Sequence, residues 1–392
     1  MIEVIKSIPP YILERSIGWP KALPINLTIT PSPRCNSRCQ TCNIWLKRED
    51  ELTLAEWDRI FQSLGRAPFW FTVSGGEPFM FRDLVPLCQS LYRHCRPGII
   101  NIPTNSLLCN LIPAMVEEIC RACPDSQVII NLSLDGVAEK HDRIRGVPGN
   151  FRRFEENYHA LRRLSCANLT VGIHSVLSTF NIADAAELFD YALSLRPDSY
   201  ITEIAEQRVE LGTMGLGITP SVDEYSHAID RLVALVEGYR FRGISVLTEG
   251  FRLEYYKIVK RTLAERRQVI PCFAGSASAQ IYANGDVWPC CVRAESIGNL
   301  RDAGYDFRRV WFSREADHAR ADVGSGNCHC PLANASYTSM LMHPPTLARV
   351  ALRVASSSLL DIGPRAARKR ALGRSVGETP PPGIAIDGPG AV

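Results

Sequence analysis

Three cysteines in one short stretch constrain this chain more than any other feature. They lie in Cys35-Asn36-Ser37-Arg38-Cys39-Gln40-Thr41-Cys42, spaced C-x3-C-x2-C, just after the apolar, β-branched run Ile25–Thr30. Three thiolates can hold three irons of a [4Fe-4S] cube, which leaves the fourth iron open to a small molecule. Closely spaced cysteines also build zinc knots, so spacing alone leaves both metals open.

The chain has 392 residues, room for one large domain and a smaller one. Its 46% apolar and 22% charged residues are those of a globular protein. The formal charge is +3, and the basic surplus sits in the segment from Pro345 to Val392. The body is near neutral, with nothing that asks for nucleic acid. Met1–Lys6 lacks the apolar core of a signal peptide, and no apolar run reaches the length of a membrane span. The expected location is therefore cytoplasmic. There, fourteen cysteines read as metal ligands or buried thiols rather than disulfides. Cys88, Cys95, Cys109, Cys120, Cys123, Cys166 and Cys291 fall outside the cysteine motifs and read mostly as small buried apolar residues.

Residues 1–24 form a lead-in with no clear period. From Ile25 short β-branched runs alternate with helical stretches. Strands are expected at Ile25–Thr30, Phe69–Val73, Ile99–Pro103, Val128–Leu134, Leu169–Leu177 and Tyr200–Ile204. Thr53-Leu54-Ala55-Glu56 and Ser221-Val222-Asp223-Glu224 fit the capping box, and Asn110 and Asn181 are expected N-caps. Six β-α repeats imply an α/β fold with a parallel sheet and crossover helices over residues 25–243. Residues 244–271 read as a helical connector. Gln280–Ala283, Asn284-Gly285 and Asp286–Trp288 then read as strand, two-residue turn and strand, with positive φ expected at both turn positions. A small domain is expected over 272–342. A basic helix and a Pro/Gly-rich tail follow over 343–392.

Ser74-Gly75-Gly76-Glu77-Pro78 follows the second strand. Glycines let backbone approach a ligand closely, and a carboxylate beside them can hold an ammonium group. Together with the three cysteines after the first strand, this run resembles the GGEP motif of the radical S-adenosylmethionine (SAM) enzymes. The resemblance implies an open (β/α)6 partial TIM-like barrel. It implies that Cys35, Cys39 and Cys42 hold a [4Fe-4S] cluster whose open iron chelates SAM. One-electron cleavage of SAM then gives a 5′-deoxyadenosyl radical that takes hydrogen from the substrate. Gly75, Gly76 and Glu77 would receive the SAM amino group. Thr104, Ser133 and Asp135, at the ends of the third and fourth strands, would contact the methionyl part and ribose; each could equally cap a turn. His141-Asp142-Arg143-Ile144-Arg145-Gly146 resembles the H-D-x-x-R-G run of members with added clusters. Arg145 would bind the SAM carboxylate, or brace the loop by a salt bridge. Thr41 stands where the family often has an aromatic beside adenine, and Trp45 or Ile44 would supply that contact.

Cys272, Gly285 and Cys290 fit C-x9–15-G-x4-C, the opening of the family's SPASM and twitch domains. With Cys328 and Cys330 they would hold an auxiliary [4Fe-4S] cluster, with Cys291 as the substitute fourth ligand. A structural zinc ribbon is the plain alternative. Thr202–Arg208 ends the sixth strand, where such folds keep their sites, and Glu206 and Arg208 would bind or deprotonate substrate.

The function expected is radical tailoring of a small metabolite, such as the dehydrogenation performed by the twitch-bearing aminocyclitol dehydrogenase. An external one-electron donor such as flavodoxin or ferredoxin is expected. Radical maturation of a ribosomal peptide is the alternative, weakened because only 34 residues precede Cys35. A cluster-bearing electron carrier is the reading from another class. Leu347, Val350, Ala351, Val354 and Leu359, with the basic run Arg365–Arg370, could lie on a membrane surface. A helix packed on the barrel and a soluble tail is the preferred reading of that stretch.

Overall fold

The computed structural model describes residues 2–237 and 244–355. Its centre is a sheet of β1 (Asn26–Ile29), β2 (Trp70–Val73), β3 (Ile99–Thr104), β4 (Gln127–Ser133), β5 (Leu169–Leu177), β6 (Ser199–Ile204), β7 (Ser278–Ile281) and β8 (Val287–Trp288). The order is β6-β5-β4-β3-β2-β1-β7-β8. β1 to β6 are all parallel. This is the partial barrel that the six repeats implied, and the strand limits differ from the expected ones by a residue at most ends.

Alternation along the strands sorts the two faces. Leu27, Ile29, Phe71, Ile100, Ile102, Val128 and Ile130 are fully buried. They share a core with Trp57, Ile60, Phe61, Leu87, Val116 and Ile119 of the crossover helices. The other face is polar. Asn131 donates to Asn101 at 2.8 Å and Asn101 to Thr72 at 3.4 Å, a ladder running across β4, β3 and β2. Gly172 follows this rule, because a Cβ there would meet Asn131 Oδ1 at 2.2 Å.

Both capping boxes are present. Thr53 accepts from the Glu56 amide while Glu56 accepts from the Thr53 amide at 2.7 Å. Ser221 and Glu224 repeat the arrangement. Asn110 is not an N-cap, since Pro113 sits in the first turn of the helix Ile112–Ala122 and Leu111 precedes it. Asn181 precedes only a 3-10 turn, and its side chain accepts from Ser178 and donates to the Asp135 and Val176 carbonyls.

The lead-in is not irregular. Ile2–Ile17 is a helix that carries Pro9 and Pro10. Ile8 and Tyr11 pack on Ile25, Phe273, Ala277 and Met342.

The hairpin is hydrogen-bonded into the barrel's own sheet. β7 pairs in parallel with β1, Asn26 opposite Ser278 and Ile29 opposite Ile281, and β8 returns antiparallel. The turn differs from the expected two-residue type. Gly285 has φ 92°, but Asn284 is not left-handed. Gly285 donates to the Tyr282 carbonyl at 2.9 Å and Tyr282 to that of Asp286 at 2.8 Å. This is a three-residue loop whose last residue, a glycine, takes the left-handed position.

A helix, Ile244–Glu265, lies within residues 244–271. Tyr256 meets Thr202 of β6 at 3.1 Å, and Tyr255 donates to the Pro331 carbonyl at 2.9 Å. Residues 344–355 are helical; Leu359, the Arg365–Arg370 run and the Pro/Gly tail lie outside the described residues. Among the described residues no helix is long and apolar enough to cross a membrane.

Candidate active site

The loop after β1 is held from three sides. Arg38 and Gln40 donate backbone bonds to the Arg145 and Ile144 carbonyls at 3.0 and 2.9 Å, and Asn43 donates to that of Leu211 at 2.9 Å. Below it runs the Gly75-Gly76-Glu77 strand end, where Gly76 donates to Ser32 and Glu77 to Arg34. A Cβ on Gly76 would lie 2.1 Å from the Arg34 carbonyl oxygen, and one on Gly75 2.4 Å from that of Ser32. The atoms crowding both glycines thus belong to the protein's own cysteine loop. Gly146 meets the loop in the same way, 2.4 Å from the Arg38 carbonyl.

Each of the three sulfurs faces a hydrogen-bond donor. The Ser37 amide and Asn105 Nδ2 point at Cys35 Sγ (3.4 and 3.8 Å). Arg145 points at Cys39 Sγ (3.5 Å), and the Ile44 amide at Cys42 Sγ (3.5 Å). Burial pushes the Cys35 and Cys42 thiols up to about 11 and about 12 in the bare chain. Donors on every sulfur suit thiolates, which accept such bonds and are the form that binds iron. Among the described residues no three His, Cys, Asp or Glu side chains converge as the ligands of a single ion would. The donor set fits a cube, which spreads its cysteines over separate irons.

All three cysteines line a cavity of about 240 Å³ at the C-terminal ends of the strands. Every strand-end residue expected from sequence lines it too: Gly75, Gly76, Glu77, Thr104, Ser133, Asp135, Arg145, Glu206 and Arg208. Glu77 is 1% exposed, and accepts from Thr104 Oγ1 (2.9 Å) and from the Asn105 and Phe79 amides. Burial outweighs these bonds and raises its pKa to about 7. Thr104 therefore holds the carboxylate in place. Arg145 pairs with Asp135 at 2.9 Å, the bracing arrangement, while also reaching Cys39. Asp135 accepts in addition from the Val176 amide at 2.8 Å. His141 Nδ1 accepts from the Asp135 amide at 3.1 Å, and burial lowers its pKa to about 4, which keeps that nitrogen free to accept. Ile44 lines the cavity; Trp45 does not, and the Arg38 guanidinium lies 4.4 Å over its ring.

Arg208 binds Glu206 through Nε (2.9 Å) and Nη2 (2.7 Å), with Glu203 at 3.8 Å. Glu203 also meets His174 at 3.3 Å. Burial works to raise the Glu203 pKa, but His174 and Arg208 leave it lowered. For Glu206 burial and the neighbouring Glu203 outweigh Arg208, and its pKa is raised. Its Oε1 is buried without a hydrogen-bond partner. Sequence reasoning passed over Asn105, His174, Glu203 and Glu210. Glu203 lies inside the strand-end run Thr202–Arg208, and Glu210 lies two residues past it. His174 sits mid-strand, and its inward direction was readable from the period of β5.

The second cysteine group is also assembled. Cys272 lies near Cys290 and Cys328, and Cys328 shares a hydrogen bond with Cys330 that lowers its own pKa to about 7 and raises that of Cys330. The Arg15 guanidinium of the N-terminal helix donates to the Cys272 carbonyl at 2.7 Å. Cys291 packs beside Cys272, Cys290 and Cys330, and its sulfur also accepts from Arg208 at 3.8 Å while its thiol bonds Glu210.

Residues 29–192 match the Radical SAM superfamily, and residues 272–331 match the SPASM iron-sulfur cluster-binding domain. The sporulation killing factor maturation protein SkfB of Bacillus subtilis is 29% identical over 43% of this chain, a stretch that spans only 38% of SkfB. The Fe-coproporphyrin III synthase of Methanosarcina barkeri is 27% identical over 78% of this chain and 77% of its own length. The crystal structure of Streptococcus suis SuiB bound to S-adenosylmethionine shares the fold, with a TM-score of 0.58 at 16% identity over 77% of this chain and 68% of SuiB. SuiB bound to its precursor peptide SuiA gives 0.56 at 17% identity over 77% and 67%. A SAM-binding [4Fe-4S] cluster and auxiliary cluster binding follow from the two matched domains. The chain thus carries a radical SAM domain and, C-terminal to it, a SPASM domain.

Proposed function

We propose that this enzyme matures a peptide by hydrogen abstraction from one side chain, which ranks the expected alternative above small-metabolite dehydrogenation. The apolar rim of the cavity carries this reading. On the segments that bring Ile44, Val176, Leu211 and Ile218 to the cavity, Leu46, Phe180, Val209, Met214 and Leu216 are exposed. They stand beside the lining residues Ile44, Leu211 and Ile218. A peptide resting on an apolar rim and inserting one side chain suits this shape. The likeness to SkfB and to peptide-bound SuiB supports the same reading.

When bound, the reduced cluster supplies the electron that cleaves SAM to a hydrogen-abstracting 5′-deoxyadenosyl radical. Cys35, Cys39 and Cys42 hold that cluster. Glu77, fixed by Thr104 and Asn105, receives the ammonium group of SAM. Arg145 and Asp135 set the floor on which the remainder lies, and Ser133 lines it. Cys272, Cys290, Cys328 and Cys330 hold the auxiliary cluster. Glu206 presents its unpartnered oxygen to the substrate and takes its proton, while Arg208 fixes the carboxylate. An external flavodoxin or ferredoxin supplies the electrons.

The test offers the reduced enzyme deuterated peptides encoded beside its gene and follows deuterium into 5′-deoxyadenosine. Label arriving from a peptide supports the reading. Label arriving only from free metabolites restores tailoring of a small cofactor precursor, the reading that the Fe-coproporphyrin III synthase likeness favours.

A further inference from the structure

The segment between β6 and the helix Val222–Glu237 touches both cluster sites. On one side Leu211 accepts from Asn43, next to Cys42, and Gly212 accepts from the Asn43 side chain at 3.1 Å. On the other side Val209 donates to Val292 at 3.1 Å, two residues past Cys290. Between these contacts runs a buried set of polar bonds. His174 meets Glu203, Glu203 and Glu206 share Arg208, Arg208 reaches the Cys291 sulfur, and Cys291 bonds Glu210. Glu210 accepts from Gln280 of β7, which also donates to Thr30 at 3.1 Å. Arg208 is the one member that contacts both a cavity carboxylate and the residue beside an auxiliary-cluster cysteine.

We propose that Arg208 and Cys291 form an electrostatic bridge through which the charge in the substrate cavity sets the reduction potential of the auxiliary cluster. Arg208 is a positioning residue in this role, and Cys291 is its anchor rather than a metal ligand. The physical basis is simple. Reduction adds one negative charge to the cluster, and a buried cation nearby favours the reduced form. Hydrogen bonding and local charge are among the levers that set cluster potentials. A substrate that draws on Glu206 changes how much of the Arg208 charge is offset, and so signals its presence to the acceptor. The bridge rests on both clusters being bound, and not on whether the substrate is a peptide or a metabolite.

The test uses the reconstituted full-length enzyme and a reductive titration followed by electron paramagnetic resonance. The auxiliary signal is the one that added SAM does not alter. Iron is counted first, about eight per chain for two cubes. Fewer irons in the wild-type enzyme would defeat the cofactor assignment itself. With eight present, Arg208→Gln is expected to lower the equilibrium constant for reducing the auxiliary cluster tenfold or more, a shift of about 59 mV for one electron. Arg208→Lys keeps the charge and is expected to stay near wild type. Glu206→Gln removes the offsetting carboxylate and is expected to move the potential the other way. Cys291→Ser is expected to retain all the iron. Equal potentials in all the variants, or a Lys variant that falls with the Gln variant, overturn the bridge. Loss of about four irons from Cys291→Ser makes Cys291 a ligand and overturns it as well.

Discussion

Glu77 combines two demands that conflict in the bare protein. In the proposed role it must be an anion to receive an ammonium group, yet burial raises its pKa from 4.5 to about 7. A carboxyl raised in the folded state binds its proton more tightly there than when unfolded. Its contribution to stability is therefore complete below the unfolded pKa and is lost as the pH rises through about 7. In the cluster-free protein, melting temperature is expected to fall between roughly pH 4.5 and pH 7, and Glu77→Gln to flatten that slope. The same variant is expected to weaken SAM binding tenfold or more, in line with the loss of a charged hydrogen bond worth roughly 1.5–3 kcal/mol. An unchanged pH slope in the Gln variant would show that another group controls it. Gly76 makes a second case. With the Arg34 carbonyl 2.1 Å from where a Cβ would stand, Gly76→Ala displaces the cysteine loop rather than a ligand. The variant is expected to keep about four irons, those of the auxiliary site, against about eight in the wild type. Iron analysis with SAM-cleavage assays checks it, and full iron content would mean that the loop tolerates the shift.

At the scale of elements, what the sequence disclosed follows from the range of the forces involved. The six barrel strands were legible because each is a local β-branched run with its own period. The capping boxes were legible because donor and acceptor lie three residues apart. Thr53→Ala is expected to cost about 1 kcal/mol through loss of that cap, read from denaturant midpoints. The N-terminal helix was not legible. Pro9 and Pro10 interrupt its pattern, and what holds it is packing of Ile8 and Tyr11 on residues as distant as Met342. The hairpin was placed correctly, but its turn was read from Asn-Gly alone. Gly285 is held by bonds to Tyr282 and Leu300 that only the folded chain reveals. In the site, residue types at strand ends announced the cavity. Arg145 announced both of its options, and its pairing with Asp135 at 2.9 Å is visible only in the folded chain. Cys291 shows the limit most clearly. Its neighbour Cys290 suggested a metal, while its own partner, Arg208, comes from another part of the chain.

At the scale of the whole molecule, the pairing of β7 with β1 ties the two cluster sites into one body. An open sheet leaves unpaired amides and carbonyls along its edges, and β1 would be such an edge without β7. The edge is also the strand that launches the cysteine loop, so covering it fixes the cluster ligands. Further ties reinforce the seam. Leu52 donates to the Ala283 carbonyl at 2.7 Å, and Arg301 pairs with Glu56 at 3.2 Å. A chain ended before Cys272 is therefore expected to lose more than an auxiliary cluster. It should self-associate through β1 and fail to hold iron at Cys35, Cys39 and Cys42. Full-length protein carrying Cys272→Ala and Cys290→Ala should behave differently, keeping the seam while losing about half of about eight irons. Gel filtration and iron analysis of the two proteins side by side separate the roles. If the shortened chain stays monomeric and SAM-competent, the seam is dispensable, and the SPASM domain contributes its cluster alone.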